Sequence, residues 1–538
     1  MKRSHLKNSS TNPGRKTGLL LPLTLLLLSC IPNQDSGFRI YPYIQNPTQT
    51  GMSILWYTDG AGQGKVRCRE VDSKIQQVKF SHPFLETALR YSTWEDTTFF
   101  DGQAPGAPYK HRIRFEGLKP GTRYEYTVEQ GDSTFLSYFE TAPLRNEKIR
   151  FIAYGDCETE PESRGKPARW SGPGSSVERH YLVDQSRGYQ NNLDVIRSRN
   201  PDLVLITGDI VESGGEQRDW DEFWRHNTNS SPSLSLASST PIAAIMGNHD
   251  YYGGPESGRY QQPESEFAIH KYLSYFEAPS NEALNKEQQA RYYRMDYGPA
   301  TFVFLDLCNN SPQGSDDDSN HFLLGENDEG GGDAPDFAPG SRQYEWLEEQ
   351  LAEASEVSHF TIVVFHHAPY SSGPHGWPAG RGEGFDPQSG QPARLLTPLF
   401  MRYGVDLVLN GHDEMWERSE VEGIEIKADG TRHSHSIQFY DVGVGGDGLR
   451  APIPGLDNPY QKFIAHEDSP EIWSDSVLVK GGKHYGHLEV DMQVGPDGKW
   501  QAVLKPVYVL PVFNSTTGSY SEYRRKLYDD QVILYETQ

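Results

Sequence analysis

The chain has 538 residues, more than one ordinary hydrophobic core accommodates, so two or three domains are expected. Hydrophobic residues make up 36% of the sequence and aromatic residues 12%, which is typical of a globular protein and excludes a disordered one. The 50 Lys and Arg residues against 74 Asp and Glu residues give a formal net charge of −24. This balance argues against non-specific binding of nucleic acid, whose phosphates need a basic surface. A phosphorylated substrate stays open, because bound cations invert the local field of an acidic protein.

Residues 1–30 are predicted to be a signal peptide. The basic stretches MKRSHLK and GRK precede the apolar run GLLLPLTLLLL, which is too short to span a bilayer comfortably. The run ends in LLSC and resembles the bacterial lipobox, in which the cysteine, here Cys30, carries the lipid of the mature lipoprotein. An ordinary secretory signal followed by a chance cysteine is the alternative. Because Ile31 rather than Asp follows, we expect a lipid-anchored protein of the bacterial cell envelope, at the outer membrane and facing the periplasm or the surface.

Residues 35–143 are predicted to form an all-β domain. The stretches FRIYPYIQN, SILWYT and KVRCREV alternate apolar with polar residues, and HRIRFEGLKPGTRYEYTVEQGD gives two further strands around a turn. Leu118, Pro120 and Tyr124 have the spacing of the tyrosine corner of β-sandwiches. The segment therefore resembles a fibronectin type III module.

Residues 148–510 are predicted to form an α/β domain, with 511–538 as a C-terminal extension. KIRFIAYGD, DLVLITGD, PIAAIMGNHD, ATFVFLDL, FTIVVFHH and VDLVLNGH are continuous apolar runs of strand length, as expected of strands covered on both faces. Between them lie stretches of helical character, such as YEWLEEQLAEA.

Residues 309–341 form an insertion rich in Gly and Asp, with little to bury. We predict a solvated surface loop. A weak calcium site is the alternative, since closely spaced oxygen ligands suit that ion.

Three cysteines follow Cys30, namely Cys68, Cys157 and Cys308. An odd number cannot all pair within one chain. We predict buried free thiols, with a disulfide between Cys157 and Cys308 as the alternative.

Polar side chains that suit metal binding or proton transfer follow five of the apolar runs. They are Asp156 in YGDCE, Asp209 in TGDIVE, Asn248 and His249 in MGNHD, His366 and His367 in FHHAPYSSG, and His412 and Glu414 in NGHDE. In layered α/β proteins, ligands gather just beyond the strand ends. The sequence therefore predicts a site built from these five loops.

In this order the loops closely resemble those of the calcineurin-like metallophosphoesterase superfamily. The pattern of that family is an Asp loop, GD, GNH followed by an acid, a His before a Pro, and GHxH. With a fibronectin-like domain before it, the chain is most similar to purple acid phosphatases and their bacterial homologues. The resemblance implies an α-β-β-α sandwich that holds two metal ions.

The resemblance assigns metal ligands residue by residue. Asp209 would bridge the two ions. The shell of the second ion, which would be Zn, Mn or Fe, would be completed by Asn248, His367 and His412. His367 is preferred over His366 because the ligand of the family lies two residues before a proline, here Pro369.

The first metal position departs from the family pattern. Asp156 would bind this ion, but Glu414 stands where the second His of GHxH is expected. Glu212 replaces the tyrosine that colours purple acid phosphatases, and Glu158 replaces another histidine found in many members. Carboxylates favour hard ions, so we expect Fe, Mn, Mg or Ca here, and a protein that is not purple.

The resemblance also implies the reaction, which is hydrolysis of phosphate monoesters by a hydroxide held between the two metal ions. His249 would protonate the leaving oxygen or bind a phosphate oxygen, with Asp250 orienting its ring. His375 in SSGPHG is similar to a family histidine that faces the phosphate.

Two alternatives remain open. A phosphodiesterase or nucleotide hydrolase would use the same site, with specificity set by the loops 161–189 and 251–291. A non-catalytic protein with a structural metal site would bind its partner through the β-sandwich. The expected partner is a small phosphorylated substrate, and no nucleic-acid surface is expected.

Overall fold

The computed structural model describes residues 37–536 except 166, 172–177, 256–263, 284–287, 324–333, 428, 475–476, 515 and 518. The predicted signal peptide and Cys30 lie outside the described residues. Among the described residues, none of the helices combines the length and the apolar character needed to cross a membrane.

The first part of the chain is a β-sandwich. Its elements are β1 (Ile40–Thr48), β2 (Gly51–Thr58), β3 (Lys65–Glu70), β4 (Gln76–Phe80), β5 (Phe84–Leu85), α1 (Thr93–Phe99), β6 (Tyr109–Glu116), β7 (Arg123–Gln130) and β8 (Ser133–Glu140). One sheet has the order β1-β2-β6-β5 and the other β4-β3-β7-β8. The hydroxyl of Tyr124 accepts the backbone N–H of Lys119 at 2.9 Å, so the predicted tyrosine corner is confirmed.

The second part of the chain alternates strands and helices. Its elements are β9 (Ile149–Tyr154), β10 (Pro167–Ser171), β11 (Glu178–Asp184), α2 (Gln185–Arg199), β12 (Leu203–Ile206), α3 (Gln217–Asn227), β13 (Ile242–Ala244), α4 (Glu264–Tyr275), β14 (Tyr293–Tyr297), β15 (Ala300–Phe304), α5 (Arg342–Val357), β16 (Phe360–His367), α6 (Thr397–Arg402), β17 (Leu407–Gly411), β18 (Trp416–Ile426), β19 (Arg432–Val442), β20 (Gln461–Ile464), β21 (Glu467–Ser474), β22 (Val477–Gly482), β23 (Gly486–Val494), β24 (Trp500–Asn514), β25 (Ser519–Leu527) and β26 (Val532–Tyr535).

These strands form two large mixed sheets. The first has the order β13-β12-β9-β23-β24-β25, with β26 also paired to β24, and the second has the order β14-β15-β16-β17-β19-β18-β20. The strands β9, β12 and β13 run parallel to one another, and so do β15, β16, β17 and β19. The carboxyl ends of these parallel strands therefore meet at one edge of each sheet.

Alternate side chains of a strand point to opposite faces, so each buried strand contributes to two cores. Phe151 and Ala153 of β9 pack between the two sheets with Phe302 and Ile362 of the second sheet. Residues of β9 on the other face pack with helices α2, α3 and α4, while α5 and α6 cover the outer face of the second sheet. This arrangement confirms the predicted α-β-β-α sandwich preceded by an all-β domain.

The two parts share buried contacts. The Tyr43 hydroxyl donates to the carbonyl of Tyr275 at 2.9 Å, and Lys110 Nζ donates to that of Ser274 at 2.6 Å. Within the segment 511–538, predicted as a C-terminal extension, β25 and β26 continue the first sheet.

The prediction of a solvated loop fits residues 311–317 of the insertion 309–341, which are mostly exposed, but is wrong for residues 318–321 and 334–337, which are buried. Asp318 is fully buried, and its carboxylate accepts the backbone N–H groups of Asn310, Gly314 and Asn320. Local hydrogen bonds to one carboxylate compensate for the low apolar content of this segment.

The remaining cysteines are free and buried, as predicted. Cys157 and Cys308 do not pair, and each thiol faces a backbone carbonyl, at 3.3 Å from Ile210 and 3.5 Å from Met246.

Candidate metal centre

All five loops predicted from the sequence meet at the carboxyl ends of the parallel strands. Asp156, Asp209 and Asn248 follow β9, β12 and β13 of the first sheet, whereas His367 and His412 end β16 and follow β17 of the second. Potential ligand atoms within 4.8 Å of one another form four groups: Asp209, His366 and His412; Asp156, Glu158 and Asp209; Glu158, Glu212 and His249; and Glu158, Glu414 and Asp447. The junction of the two sheets thus concentrates metal-binding side chains.

His366 directs its Nε2 towards two oxygen atoms. Its Nδ1 lies 3.0 Å from the carbonyl of Thr207, which can only accept, so Nδ1 carries a hydrogen. Nε2 lies 3.0 Å from Asp209 Oδ2 and 2.9 Å from Asn248 Oδ1. With any hydrogen on it displaced, Nε2 would offer a lone pair to a cation that also binds these two oxygens.

His412 adds an unprotonated nitrogen. Its Nε2 donates to the carbonyl of Gln388 at 2.7 Å, which leaves Nδ1 without a hydrogen at 3.2 Å from His366 Nε2. Burial, and then the neighbouring His375, lower the pKa of His412 well below its ordinary value. The ring therefore stays neutral, as a metal ligand must.

His367, the ligand chosen from the sequence, is fully buried, and neither of its ring nitrogens has a hydrogen-bond partner. Its ring centroid lies 4.3 Å from that of His412. A buried imidazole without partners is costly unless an ion satisfies it. The structure thus brings both His366 and His367 to the centre.

The opposite side of the centre consists of carboxylates. Asp156 Oδ1 accepts the backbone N–H of His412 at 2.8 Å, while Asp156 Oδ2 and Glu158 Oε1 are buried without hydrogen-bond partners. Burial, and for Asp156 the charge of Asp209, raise the pKa values of Asp156 and Glu158 well above the ordinary range. Burial likewise raises the pKa of Glu414. These carboxylates fit a hard cation, which would stabilise their charged forms.

Asp209, predicted to bridge the two ions, has a different electrostatic environment from these carboxylates. Burial alone would raise the pKa of Asp209, but His366 and His249 lie beside it and lower the pKa below its ordinary value. Asp209 Oδ1 also accepts the backbone N–H of His249 at 2.8 Å. Asp209 is thus held as a carboxylate between the two groups of ligands.

His249 lies at the rim, with a side chain that is 14% exposed. Its Nδ1 is 3.0 Å from the carbonyl of Glu212 and 3.4 Å from the Glu212 carboxylate, and Nε2 is 3.6 Å from Glu158 Oε1. Burial opposes the charged form, but Tyr252, Asp209 and Glu212 raise the pKa of His249 well above its ordinary value.

Asp250 does not contact the ring of His249, so the predicted orienting role is wrong. Its Oδ1 accepts the backbone N–H groups of Ile210 and Val211, and Oδ2 accepts that of Gly247 at 2.8 Å. A short turn after Asn248 points the Asp250 carboxylate back into the loops rather than towards the neighbouring ring. Burial, and then the charge of Asp209, raise the pKa of Asp250 to about 7.

The loops adopt unusual backbone conformations. The positive φ values are 53° at Asp156, 27° at Glu158, 49° at Asp209, 80° at His412 and 48° at Glu414. Such conformations cost about 1–3 kcal/mol each for non-glycine residues and concentrate at functional sites. Gly411 and Gly247 have no room for a side chain, because a Cβ would lie 2.1 Å from Asp156 Oδ2 and 2.2 Å from Asp209 Oδ1.

Sequence reasoning named His366 but preferred His367 as the ligand, and it missed Asp447 and Arg450. Arg450 Nη2 lies 2.5 Å from Glu414 Oε1, and Nη1 donates to His375 Nε2 at 2.8 Å. The stretch GVGGDGLR follows β19, a strand parallel to β17, so its polar residues lie just beyond a strand end, like those of the five loops.

Residues 149–413 match the calcineurin-like phosphoesterase family, and residues 38–142 match the purple acid phosphatase N-terminal domain. The chain carries a calcineurin-like phosphoesterase domain. This match confirms the resemblance drawn from the strand-end motifs and supports the predicted enzyme class, a hydrolase acting on phosphoric esters.

Three curated relatives are distant. An uncharacterised protein of Mycobacterium tuberculosis is 25% identical over 60% of this chain and 53% of its own length. Purple acid phosphatase 15 of Arabidopsis thaliana is 23% identical over 65% of this chain and 56% of its own. A nucleotide pyrophosphatase/phosphodiesterase of Hordeum vulgare is 22% identical over 61% of this chain and 78% of its own length. The chain spans about half the length of the first two relatives.

Two solved structures share the fold of the phosphoesterase domain and its N-terminal neighbour. The purple acid phosphatase PPD1 of Lupinus luteus covers 90% of this chain and 74% of its own, with a TM-score of 0.57 and 16% identity. PhoD covers 94% of this chain and 92% of its own, with a TM-score of 0.58 and 12% identity.

Proposed function

We propose that the protein hydrolyses phosphate monoesters at a dinuclear metal centre. The observation that carries this proposal is the set of buried ligand atoms without hydrogen-bond partners on both sides of Asp209. They belong to Asp156 and Glu158 on one side and to His367 on the other. Buried polar atoms are normally paired, so the donor set fits two cations that share Asp209.

The two sides suit different ions. His366, His367, His412 and Asn248 offer the nitrogen and amide ligands that Zn, Mn or Fe accept. Asp156, Glu158, Glu414 and Asp447 offer oxygen alone, which favours Fe, Mn, Mg or Ca. When bound, the pair of ions would activate water for attack on phosphorus and neutralise charge on the phosphoryl oxygens.

His249 would act on the leaving oxygen. The Glu212 carbonyl holds Nδ1, so Nε2 is the nitrogen that faces the centre. The raised pKa keeps a proton on the ring at neutral pH, and that proton can pass to the ester oxygen as the P–O bond breaks.

The test combines metal analysis with an assay of p-nitrophenyl phosphate. We expect two ions per chain, no purple colour, and at least a 100-fold loss of kcat in His249→Asn with its metals retained. His433→Asn is the matched control, because His433 is an exposed histidine on β19. Unchanged turnover in His249→Asn, or a wild type without hydrolysis, would refute the proposal.

Hydrolysis of diesters or nucleotides is the second candidate, favoured by the likeness to the Hordeum vulgare nucleotide pyrophosphatase/phosphodiesterase. The same metal centre would serve both reactions. A kcat/KM for bis(p-nitrophenyl) phosphate above that for the monoester would select the diester reaction.

We also propose that a lipid on Cys30 tethers the protein to the bacterial envelope, in line with LLSC at residues 27–30. Mass spectrometry of the protein purified from membranes should find the mature chain beginning at a diacylated Cys30. Cys30→Ser should release the protein from the membrane fraction, and an unmodified cysteine there would refute the tether.

A further inference from the structure

We propose that Arg450 binds the phosphoryl group of the substrate from the carboxylate side of the centre. This inference rests on the proposed function and adds a residue that recognises the substrate. Arg450 belongs to none of the five loops predicted from the sequence. It follows the glycine-rich stretch after β19 and reaches the centre only in the folded chain.

The backbone of Arg450 is fixed at both of its polar groups. Its N–H donates to the carbonyl of Glu414 at 2.9 Å, and its carbonyl lies 3.1 Å from Nδ1 of the buried His466. The side chain therefore starts from a defined position beside Glu414, which is the arrangement expected of a preorganised binding group.

The guanidinium lies at the boundary between the buried centre and solvent. The Arg450 side chain is 34% exposed, whereas that of its partner Glu414 is 5% exposed. Its contacts with Glu414 and His375 engage two of the five N–H groups of the guanidinium. Unused donors therefore remain within reach of an anion that enters from solvent.

His375 and Asp386 orient the guanidinium. His375 Nδ1 donates to Asp386 Oδ2 at 2.6 Å, so Nε2 has no hydrogen and accepts from Arg450. The His375 ring also stacks on His412, with centroids 3.8 Å apart. His375 is thus a positioning residue for Arg450 and connects it to the histidine side of the centre.

The charges of the site explain why an arginine would serve here. Six carboxylates lie at the centre, those of Asp156, Glu158, Asp209, Glu212, Glu414 and Asp447, and they would repel a phosphate unless cations offset them. The planar guanidinium matches phosphate oxygens in charge and geometry. A cation bound by Glu414 would compete with Arg450 for that carboxylate and free the guanidinium for the phosphate.

The experiment measures binding of inorganic phosphate to the metal-loaded chain by calorimetry, together with metal content and Tm. In Arg450→Met we expect the Kd for phosphate to rise at least tenfold, with metal content and Tm as in the wild type, and Arg450→Lys should restore part of the affinity. Arg402→Met is the matched control, because Arg402 also pairs with a carboxylate, Glu348 at 3.2 Å, but is exposed and distant in the fold.

Three results would overturn the inference. An unchanged Kd in Arg450→Met would mean that Arg450 does not bind phosphate, and loss of metal would make it a counterion of Glu414. A wild type that binds no phosphate also refutes it. If the wild type hydrolyses no ester but binds phosphate, and Arg450→Met binds it more weakly, the proposed function is refuted and the inference stands.

Discussion

Nε2 of His366 lies 3.0 Å from Oδ2 of Asp209, although the family pattern assigns the ligand role to the neighbouring His367. Consecutive residues of a strand point to opposite faces, so two adjacent ligands are unexpected. Both reach the centre because they end β16, where its pairing with β17 shifts register between Val364 and His367.

This relationship predicts that both histidines hold metal. We expect His366→Ala and His367→Ala each to lower the bound metal by about one ion per chain, or to weaken its affinity at least tenfold. Elemental analysis after dialysis measures the effect. His435→Ala is the control, because His435 is buried on β19 and donates to the Val405 carbonyl away from the centre. Normal metal content in His366→Ala would mean that His366 binds no metal and only donates a hydrogen bond to the Thr207 carbonyl.

Removal of metal is expected to change the pH dependence of stability. Burial raises the pKa values of Asp156, Glu158 and Glu414, so in the metal-free protein these groups reduce stability as the pH rises above their unfolded values of 3.8 and 4.5. Bound cations favour the ionised forms and reverse this effect. The rise in Tm on adding Mn²⁺ to chelated protein should thus be larger at about pH 8 than at about pH 5. An equal rise at both values would contradict the carboxylate-rich position.

Asp250 is expected to act independently of His249. It accepts three backbone N–H groups of the Asp209 and Asn248 loops and does not touch the imidazole. Asp250→Asn should lower the free energy of unfolding by about 1–3 kcal/mol. It should also reduce kcat, because the loops that carry Asp209 and Asn248 lose their shared hydrogen-bond acceptor. A double-mutant cycle with His249→Asn tests this, and the increases in activation free energy of the two variants should add. Strong coupling in the cycle would favour the orienting role expected from sequence.

A buried ion pair supports the GNHD loop. The guanidinium of Arg291 donates to Asp306 Oδ2 at 2.9 and 2.7 Å, and the hydroxyl of Tyr251, just after this loop, donates to the same oxygen at 2.6 Å. Both charged side chains have no solvent exposure. Asp306→Ala removes the carboxylate partner of a fully buried guanidinium, so we expect a loss of about 3–5 kcal/mol in the free energy of unfolding, measured with denaturant.

The matched control for this pair is Glu353→Ala, because Glu353 is 63% exposed and pairs with Arg294 at 2.8 Å. Surface pairs contribute little, so this change should cost below about 1 kcal/mol. A similar cost for both variants would show that burial of the Asp306 pair does not determine its contribution.

The sequence by itself determined the strands and most of the ligand loops. Continuous apolar runs mark strands buried on both faces, and the polar residues after them must meet where parallel strands end together. Six such runs became β9, β12, β13, β15, β16 and β17. The tyrosine corner at Tyr124 was equally local, because its bond spans only five residues.

Only the tertiary structure decided how the side chains point and which distant residues join them. The direction of the Asp250 carboxylate depends on one short turn, and the burial of Asp318 depends on bonds within an apparently polar loop. Arg450 meets His375 across 75 residues of sequence, and no local periodicity encodes such a contact. Strand patterns fix which loops share an edge, whereas rotamers and long-range packing fix which atoms face the centre.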